Sequence, residues 1–160
     1  MCEYRTATKE DFSEICALVT NEDELFWVYP SGQFPLTVDQ LMKLSRERKD
    51  LTVVVEKERI IGFANFYKYI QGKSAFIGNV VIDKCNRGKG IGRNLILYML
   101  ERARKIHNLN EVHISVFNEN TPALLLYSTL GFMPYEIEER NSPRGKRIAL
   151  IHMKTMIENQ

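Results

Sequence analysis

The sequence predicts a mixed α/β fold in which a mostly antiparallel sheet carries helices on both faces. Three strand-like runs follow one another from residue 51 with short polar connections between them, which is typical of an antiparallel meander. A long helical pattern then separates the third run from a fourth, and such a crossover predicts one parallel pair. The length of 160 residues and 44% hydrophobic content predict a single domain over residues 1–160.

The N-terminal part of the chain predicts a short strand followed by two helices. Thr8 is placed to cap the first helix, in which apolar residues between positions 12 and 19 recur at helical spacing. Residues 21–35 are acidic and then aromatic, which predicts a loop or a broken helix beside a cleft. Thr37 and Gln40 have the spacing of a capping box, so a second helix is predicted from Thr37.

The remaining elements follow from alternation and helical periodicity. The runs LTVVVE, IIGFANFYKYI and SAFIGNVVID are rich in β-branched and aromatic residues and predict the meander. Gly90 to His107 predicts a long helix whose apolar stripe is broken by Arg102. The run EVHISVF predicts the parallel strand, Thr121 to Leu130 a helix that Gly131 ends, and residues 133–139 and 147–153 the closing strands.

Charge and cysteine usage exclude several classes of protein. A formal net charge of +2 argues against nucleic acid or a membrane surface as partner, because both favour dense basic patches. No apolar run approaches the roughly 20 residues that a membrane span needs. Cys2, Cys16 and Cys85 are scattered, which predicts no metal site and fits a reducing, cytoplasmic setting. Cys85 lacks an organised histidine partner and is interpreted as structural rather than nucleophilic.

The stretch IDKCNRGKGIGRNL predicts an anion site at a strand-to-helix turn. Its three glycines, Gly88, Gly90 and Gly92, leave the first helix amides accessible, and the helix dipole favours negative charge there. Three cationic side chains surround them, namely Arg87, Lys89 and Arg93. The spacing is neither the GxGxxG of a dinucleotide fold nor the GK[ST] of a P-loop. A plain flexible turn is the alternative interpretation.

Two motifs then resemble the GNAT superfamily of N-acetyltransferases. Residues 87–92, read as R-x-x-G-x-G, look like its acyl-coenzyme A signature, and NTPALLLYSTLGF over residues 120–132 looks like its second hallmark. The two occur in the family's order, separated by one helix and one strand. The resemblance spans nearly the whole chain in its order of elements and implies the GNAT fold, with a twisted sheet whose parallel strand pair is splayed.

The resemblance implies acetyl-coenzyme A as the acetyl donor. Backbone groups of the splayed strand are expected to face the pantetheine arm, and amides of the glycine turn to hold the pyrophosphate. The implied cofactor-binding residues are Val80, Val81, Ile82, Arg87, Gly88, Lys89, Gly90, Ile91, Gly92, Arg93, Asn120 and Tyr127. Tyr127 matches the family tyrosine that donates a proton to the leaving thiolate. An ordinary helix aromatic is the alternative for Tyr127, and a helix cap is a second role for Asn120.

The general base is left open. Several relatives carry a glutamate where this chain has Ser115, and serine cannot take a proton from an ammonium ion. His113 is expected on the same face of the strand and is one candidate. A proton relay through the early carboxylates, residues 22–24, is the other.

The resemblance also implies where the acetyl acceptor binds. Residues 22–34 and 141–146 are the expected walls, and Glu22, Glu24, Trp27 and Tyr29 are the candidate substrate residues for a cationic amine. The aromatic residues could instead cap the core. The predicted function is N-acetyl transfer from acetyl-coenzyme A to a primary amine of a small molecule or peptide, by direct attack in a ternary complex. The alternative is a non-catalytic coenzyme A sensor or docking module, and a homodimer is left open.

Overall fold

The computed structural model describes residues 1–158 of the chain. Its strands are β1 (Glu3–Thr6), β2 (Lys49–Glu56), β3 (Arg59–Ile70), β4 (Ser74–Ile82), β5 (Glu111–Phe117), β6 (Met133–Asn141) and β7 (Arg147–Met156). Its α-helices are α1 (Phe12–Ala17), α2 (Glu22–Val28), α3 (Val38–Glu47), α4 (Ile91–Lys105) and α5 (Thr121–Thr129). Short 3-10 turns precede α1 and α4.

The seven strands form one sheet in the order β1-β2-β3-β4-β5-β7-β6. Neighbouring strands are antiparallel except for β4 and β5, which are parallel and are connected through α4. The predicted mixed fold, with its meander and its single parallel pair within the described residues, is therefore confirmed.

The parallel pair separates halfway along its length. Pairing between β4 and β5 runs from Ser74 with Glu111 to Ile77 with Ile114 and ends there. The next residues of β4 contain a bulge against β3, where Asn79 has a φ of 52°. A bulge bends its strand and increases the local twist, so the C-terminal half of β4 turns away from β5.

Alternating residues of the sheet contribute to two cores on its opposite faces. Val53 and Phe63 pack with the three N-terminal helices, through residues such as Ile15, Leu25 and Leu41. Their neighbours Val54 and Ala64 pack on the other face with α4 residues such as Leu95 and Met99. This two-sided burial places α2 and α4 at the same separated end of β4.

Two helices begin at residues that differ from the sequence-based prediction. Gly90 has a φ of 82°, so α4 begins at Ile91, one residue later than predicted. Residues 22–28 form a regular helix, α2, because the Asn21 side chain accepts a hydrogen bond from the Glu24 amide at 2.8 Å. Thr37 likewise caps α3 by accepting from the Gln40 amide at 3.3 Å.

Arg102, which interrupts the apolar stripe of α4, is explained by an ion pair. Its Nε donates to Asp50 Oδ2 at 2.7 Å, and His107 Nε2 lies 2.9 Å from the same oxygen. The Asp50 carboxylate is 5% exposed, so the pair ties α4 to the beginning of β2. Within residues 1–158, none of the helices has the length and apolar character of a membrane span, and no group of side chains there is arranged to hold a metal ion.

Candidate active site

The first element of the site is a groove at the N-terminus of α4, which we call the α4 groove. It has a volume of about 560 Å³ and lies between the C-terminal half of β4, the first turn of α4 and α5. Gly88 and Gly90 have φ values of 76° and 82°, in the left-handed region that residues other than glycine rarely adopt. No side chain of residues 1–158 caps α4, so its first amides remain available to an anion.

Most of the residues predicted to bind the cofactor line this groove. They are Val80, Val81, Ile82, Arg87, Gly88, Gly90, Gly92, Arg93, Asn120 and Tyr127. Two predicted residues do not line it: Lys89 is exposed on the turn, and the Ile91 side chain is buried in the core. Their backbone amides still belong to the glycine turn and the first turn of α4.

Glu24, a predicted acceptor residue, lines the α4 groove and not the sheet cavity described below. Its Oε1 is 3.1 Å from Arg87 Nη2, so the two side chains form an ion pair. Arg87 Nε also donates to the Ile82 carbonyl at 3.0 Å. Arg87 is thereby held at the separated end of β4 by a carboxylate and a backbone oxygen.

The second element is a cavity of about 460 Å³ that opens where β4 and β5 separate, which we call the sheet cavity. Its wall combines the end of α2, the bulged part of β4 and the facing residues of β5 and β7. The sheet cavity and the α4 groove share five residues, namely Trp27, Val28, Val80, Asn120 and Tyr127. The two spaces therefore meet beside Tyr127.

Tyr127 is 6% exposed and lines both spaces from α5. Burial raises the pKa of its phenol above the ordinary value of 10.0, because the charged form loses its hydration. Its ring packs edge-to-face with Phe132 at a centroid distance of 6.1 Å. A phenol in these surroundings stays protonated and can donate a proton.

Asn120 lies at the N-cap position of α5, where its side chain was expected to form a cap. No side-chain cap hydrogen bond to the α5 amides is present within the described residues, and Pro122 occupies the first turn. Proline needs no acceptor for its nitrogen, which reduces the number of amides to be capped. The Asn120 side chain is therefore left to line the two spaces.

The acceptor residues predicted on the early segment divide between different sites. Trp27 and Tyr29 line the sheet cavity, whereas Glu22 lies in a separate surface hollow beside Phe34. Glu22 and Glu24 were predicted from the family resemblance and from their negative charge. They are two positions apart on α2, so their side chains point about 200° apart around its axis. Neither carboxylate reaches the wall of the sheet cavity, so neither is placed to accept a proton there.

His113, the histidine considered as a base, lies outside the sheet cavity. Its Nδ1 is 2.6 Å from the Tyr135 hydroxyl, and its Nε2 is 3.0 Å from Glu111 Oε1. Its ring also stacks on Phe76 at a centroid distance of 4.6 Å. Both ring nitrogens face partners outside the sheet cavity, so His113 is not placed to take a proton from an acceptor bound there.

A different histidine, His152, occupies the wall beside Ser115. Ser115 and His152 are directly opposite each other in the β5–β7 ladder, and Ser115 Oγ lies 2.7 Å from His152 Nδ1. The Nε2 atom of His152 contacts the carboxylate of Glu138 on β6. This Ser–His–Glu chain was missed from the sequence, where the only signal was one histidine inside the apolar run IALIHM.

The glycine turn, the separated strands and the phenol at the junction agree with a sequence comparison. The profile of the acetyltransferase (GNAT) family matches residues 9–132. The chain belongs to the GNAT family. The resemblance found from the two motifs is thereby confirmed.

Individual relatives support the family assignment and show the fold. A segment of 51 residues is 29% identical to a probable spermine N(1)-acetyltransferase of Bacillus subtilis subsp. natto (strain BEST195), covering 32% of this chain and 34% of that protein. A crystal structure under the provisional name phosphinothricin N-acetyltransferase superposes with a TM-score of 0.86 at 21% identity, over 99% of this chain and 100% of that one.

One solved relative contains the cofactor. The structure of YncA from Salmonella typhimurium, provisionally named an acetyltransferase, holds acetyl-coenzyme A. It superposes with a TM-score of 0.79 at 17% identity, over 100% of this chain and 96% of that one. At this identity the likeness shows the shared fold, and the acceptor of each relative is a property of that relative.

Proposed function

We propose that this GNAT protein transfers an acetyl group from acetyl-coenzyme A to a primary amine by direct attack in a ternary complex. The observation that supports this most is the meeting of two spaces at Tyr127. The α4 groove has the amides and glycines for a pyrophosphate, and the sheet cavity leads to the same phenol. A donor and an acceptor bound in the two spaces would therefore meet beside one proton donor.

The donor side fits the residues that are present. The φ values of Gly88 and Gly90 are positive, and a Cβ at either position would point into open space, so the turn presents backbone rather than side chains. Arg93 adds a positive charge beside these amides. The edge of Val80 to Ile82 that faces away from β3 is unpaired with β5, so it can hydrogen-bond the amides of an extended pantetheine arm.

Proton transfer in this reaction is assigned to Tyr127, to His152 and to the Ser115 hydroxyl on His152 Nδ1. Acetyl-coenzyme A supplies the acetyl group as a thioester. The amine nitrogen forms a bond to the acetyl carbon while the bond from that carbon to sulfur breaks, so an ammonium and a thioester give an amide, a thiol and one proton. The ammonium nitrogen loses two protons: His152 Nδ1 accepts the first through the Ser115 hydroxyl, which frees the amine for attack, and the second passes to solvent after the new bond forms. Tyr127 donates its proton to the sulfur. Tyr127 and His152 then return to their starting states by exchange with solvent.

We assign His152 as the general base, because this chain has Ser115 where several relatives carry a glutamate. An imidazole is the most common general base in enzymes, and Ser115 and Glu138 together hold its ring in one orientation. Ser115 lines the sheet cavity with its hydroxyl opposite Nδ1, so the proton from the acceptor reaches the ring through this hydroxyl. This assignment favours the enzyme over the non-catalytic alternative, because the wall of the sheet cavity contains an imidazole.

The test is release of free thiol from acetyl-coenzyme A by the purified full chain. The panel comprises amino acids, polyamines, aminoglycosides and peptides with a free N-terminus, and we expect amine-dependent release with at least one class. Trp27, the one tryptophan in the sequence, lines both spaces, so its fluorescence reports coenzyme A binding separately. Binding of coenzyme A with no release for any amine would favour the sensor or docking module instead.

A further inference from the structure

The wall of the sheet cavity is positively charged. It carries Arg48, Lys68 and Arg140, and no aspartate or glutamate of residues 1–158 lines it. Such a wall attracts an anionic group and repels additional positive charge on an acceptor. This is the reverse of the charge expected from the acidic segment at residues 22–24, which the fold directs elsewhere.

Arg48 is the most enclosed of these cations. It follows α3, and its guanidinium carbon lies 4.3 Å from the centre of the Tyr67 ring. Burial lowers the pKa of Arg48 from its ordinary value, since the charged form loses hydration. Its hydrogen bond goes to a neutral amide, Asn65 Oδ1, at 3.2 Å. No carboxylate of residues 1–158 lies within ion-pair distance of it, and Glu47 attracts it only from farther away. A buried charge without a counter-ion is costly.

The absence of a side chain at Gly78 leaves space for the Arg48 guanidinium. A Cβ on Gly78 would lie 2.4 Å from Arg48 Nη1 and 2.5 Å from Tyr67 Cδ1, closer than real contacts allow. Gly78 is therefore the residue type that lets the guanidinium and the ring stack against β4 at the edge of the cavity. The φ of Gly78 is not in the left-handed region, so the requirement is for space and not for conformation.

A chain of buried amides fixes the orientation of this arginine. Asn65 Nδ2 donates to Asn79 Oδ1 at 2.7 Å, and Asn79 Nδ2 donates to the Val28 carbonyl at 2.8 Å. Asn65 is fully buried, and Asn79 is 6% exposed. The side-chain nitrogen of Asn65 donates to Asn79, so its side-chain oxygen is the atom that accepts from Arg48. The cation is thus tied to the bulge of β4 and to the end of α2.

The other two cations of the cavity wall, Lys68 and Arg140, differ in whether a carboxylate compensates their charge. The Lys68 ammonium lies 5.0 Å from the centre of the Phe76 ring and is exposed. Arg140 forms an ion pair with Glu138 at 3.3 Å, and the same carboxylate contacts His152. Glu138 therefore compensates part of the charge near β6, and the uncompensated charge lies with Arg48 and Lys68.

We propose that the sheet cavity takes an acceptor that carries an anionic group beside its primary amine, of which an α-amino acid is the simplest. Arg48 and Lys68 bind the anion, and aromatic side chains such as Trp27 and Phe117 accommodate an apolar remainder. The inference rests on the proposed acetyl transfer for the amine end. It excludes acceptors whose other groups are all cationic.

The experiment compares each acceptor with the same molecule lacking its anion. The pairs are L-phenylalanine with 2-phenylethylamine, L-leucine with 3-methylbutylamine, and 2-aminoethylphosphonate with ethylamine. Amine-dependent thiol release gives kcat/KM, and titration of Trp27 fluorescence with coenzyme A present gives binding without turnover. We expect the anionic member of at least one amino acid pair to exceed its partner about tenfold in both measurements, as one charge-assisted hydrogen bond of about 1.5 kcal/mol allows. The third pair shows whether a phosphonate replaces the carboxylate.

Substitutions test whether the cations of the sheet cavity cause the preference for the anionic acceptor of each pair. Arg48→Gln should reduce the ratio of kcat/KM between the anionic acceptor and its partner about tenfold, and Arg48→Lys should retain part of this ratio. Arg46→Gln, on the exposed side of α3, is the matched control and should leave the preference unchanged. If Arg48→Gln does not fold, the exposed Lys68→Gln variant should still lower the preference, by about threefold.

The outcomes separate this inference from the acetyl transfer itself. Transfer to uncharged amines or spermidine with equal or higher kcat/KM would overturn the anionic acceptor and leave the transfer standing. Anion-dependent fluorescence change without thiol release would support the anion site and count against the transfer. No discrimination within any pair, in either measurement, would overturn the inference.

Discussion

The hydroxyl of Ser115 lies 2.7 Å from Nδ1 of His152, although 37 residues separate them in the chain. Pairing of β5 with β7 makes them direct neighbours on one face of the sheet. The opposite ring nitrogen contacts Glu138 on β6, so that three adjacent strands each contribute one member. The position where several relatives carry a glutamate is thus coupled to a titratable ring at the wall of the sheet cavity.

His152→Gln should lower kcat by about 10² to 10⁴, because glutamine keeps hydrogen bonding but cannot accept a proton. The matched control is His113→Gln, which changes a histidine of the same sheet outside the cavity and should leave kcat nearly unchanged. Equal losses in the two variants, or an unchanged kcat in His152→Gln, would contradict the role of His152.

Tyr127→Phe should lower kcat strongly while the dissociation constant of coenzyme A changes less than threefold. The hydroxyl is the group lost, whereas the ring that packs with Phe132 remains. Burial raises the pKa of Tyr127, so the phenol stays protonated, and the wild-type rate should not fall between about pH 8 and pH 9.5. Single-turnover rates and fluorescence titration measure the two effects. An equal kcat in the phenylalanine variant would remove the proton-donor role.

Gly90→Ala should weaken coenzyme A binding at least tenfold and destabilise the fold by about 1 to 2 kcal/mol, because an alanine at a φ of 82° is strained. Gly72→Ala is the matched control. Gly72 has a φ of 70° with open space around it, in the turn between β3 and β4 away from the α4 groove. Urea unfolding should show similar losses in both variants, while calorimetry shows weaker coenzyme A binding only for Gly90→Ala.

Asp11→Asn should reduce the free energy of unfolding by about 1 to 3 kcal/mol at pH 7, as expected for a lost hydrogen bond to a charged group. Both Asp11 oxygens accept from Arg5, at 2.7 and 2.9 Å, and these bonds are the main reason that the pKa of Asp11 is lowered. A lowered carboxyl pKa gives stability that is complete above the ordinary value of about 3.9 and is lost as the pH falls through the lowered one.

The difference between wild type and Asp11→Asn should therefore be constant from pH 7 to about pH 5 and shrink in more acidic solution. Chemical denaturation at several pH values measures it. The exposed Glu47 provides the control, since Glu47→Gln removes a surface carboxylate and should change stability by less than about 0.5 kcal/mol. A difference that grows on acidification would have the wrong sign for this ion pair.

Much of the fold was readable from the sequence because its signals are local. Alternation identified the strands, and the spacing of Thr37 and Gln40 placed the start of α3. The segment at residues 21–35 was less clear, because α2 depends on a single cap, Asn21, followed by only seven helical residues. A short helix of this kind is stabilised by burial of residues such as Leu25, which periodicity over so few positions does not reveal.

The sequence by itself determined the glycine turn before α4, since glycines, cations and the beginning of a helix are all properties of one continuous stretch, residues 82–95. It also determined the family, through two motifs whose spacing is fixed along the chain. Only the tertiary structure decided the acceptor side. Ser115 meets His152, and Arg48 meets Tyr67 and Gly78, through the register of neighbouring strands and the β4 bulge. Contacts between distant segments depend on that register, and no local pattern of residues specifies it.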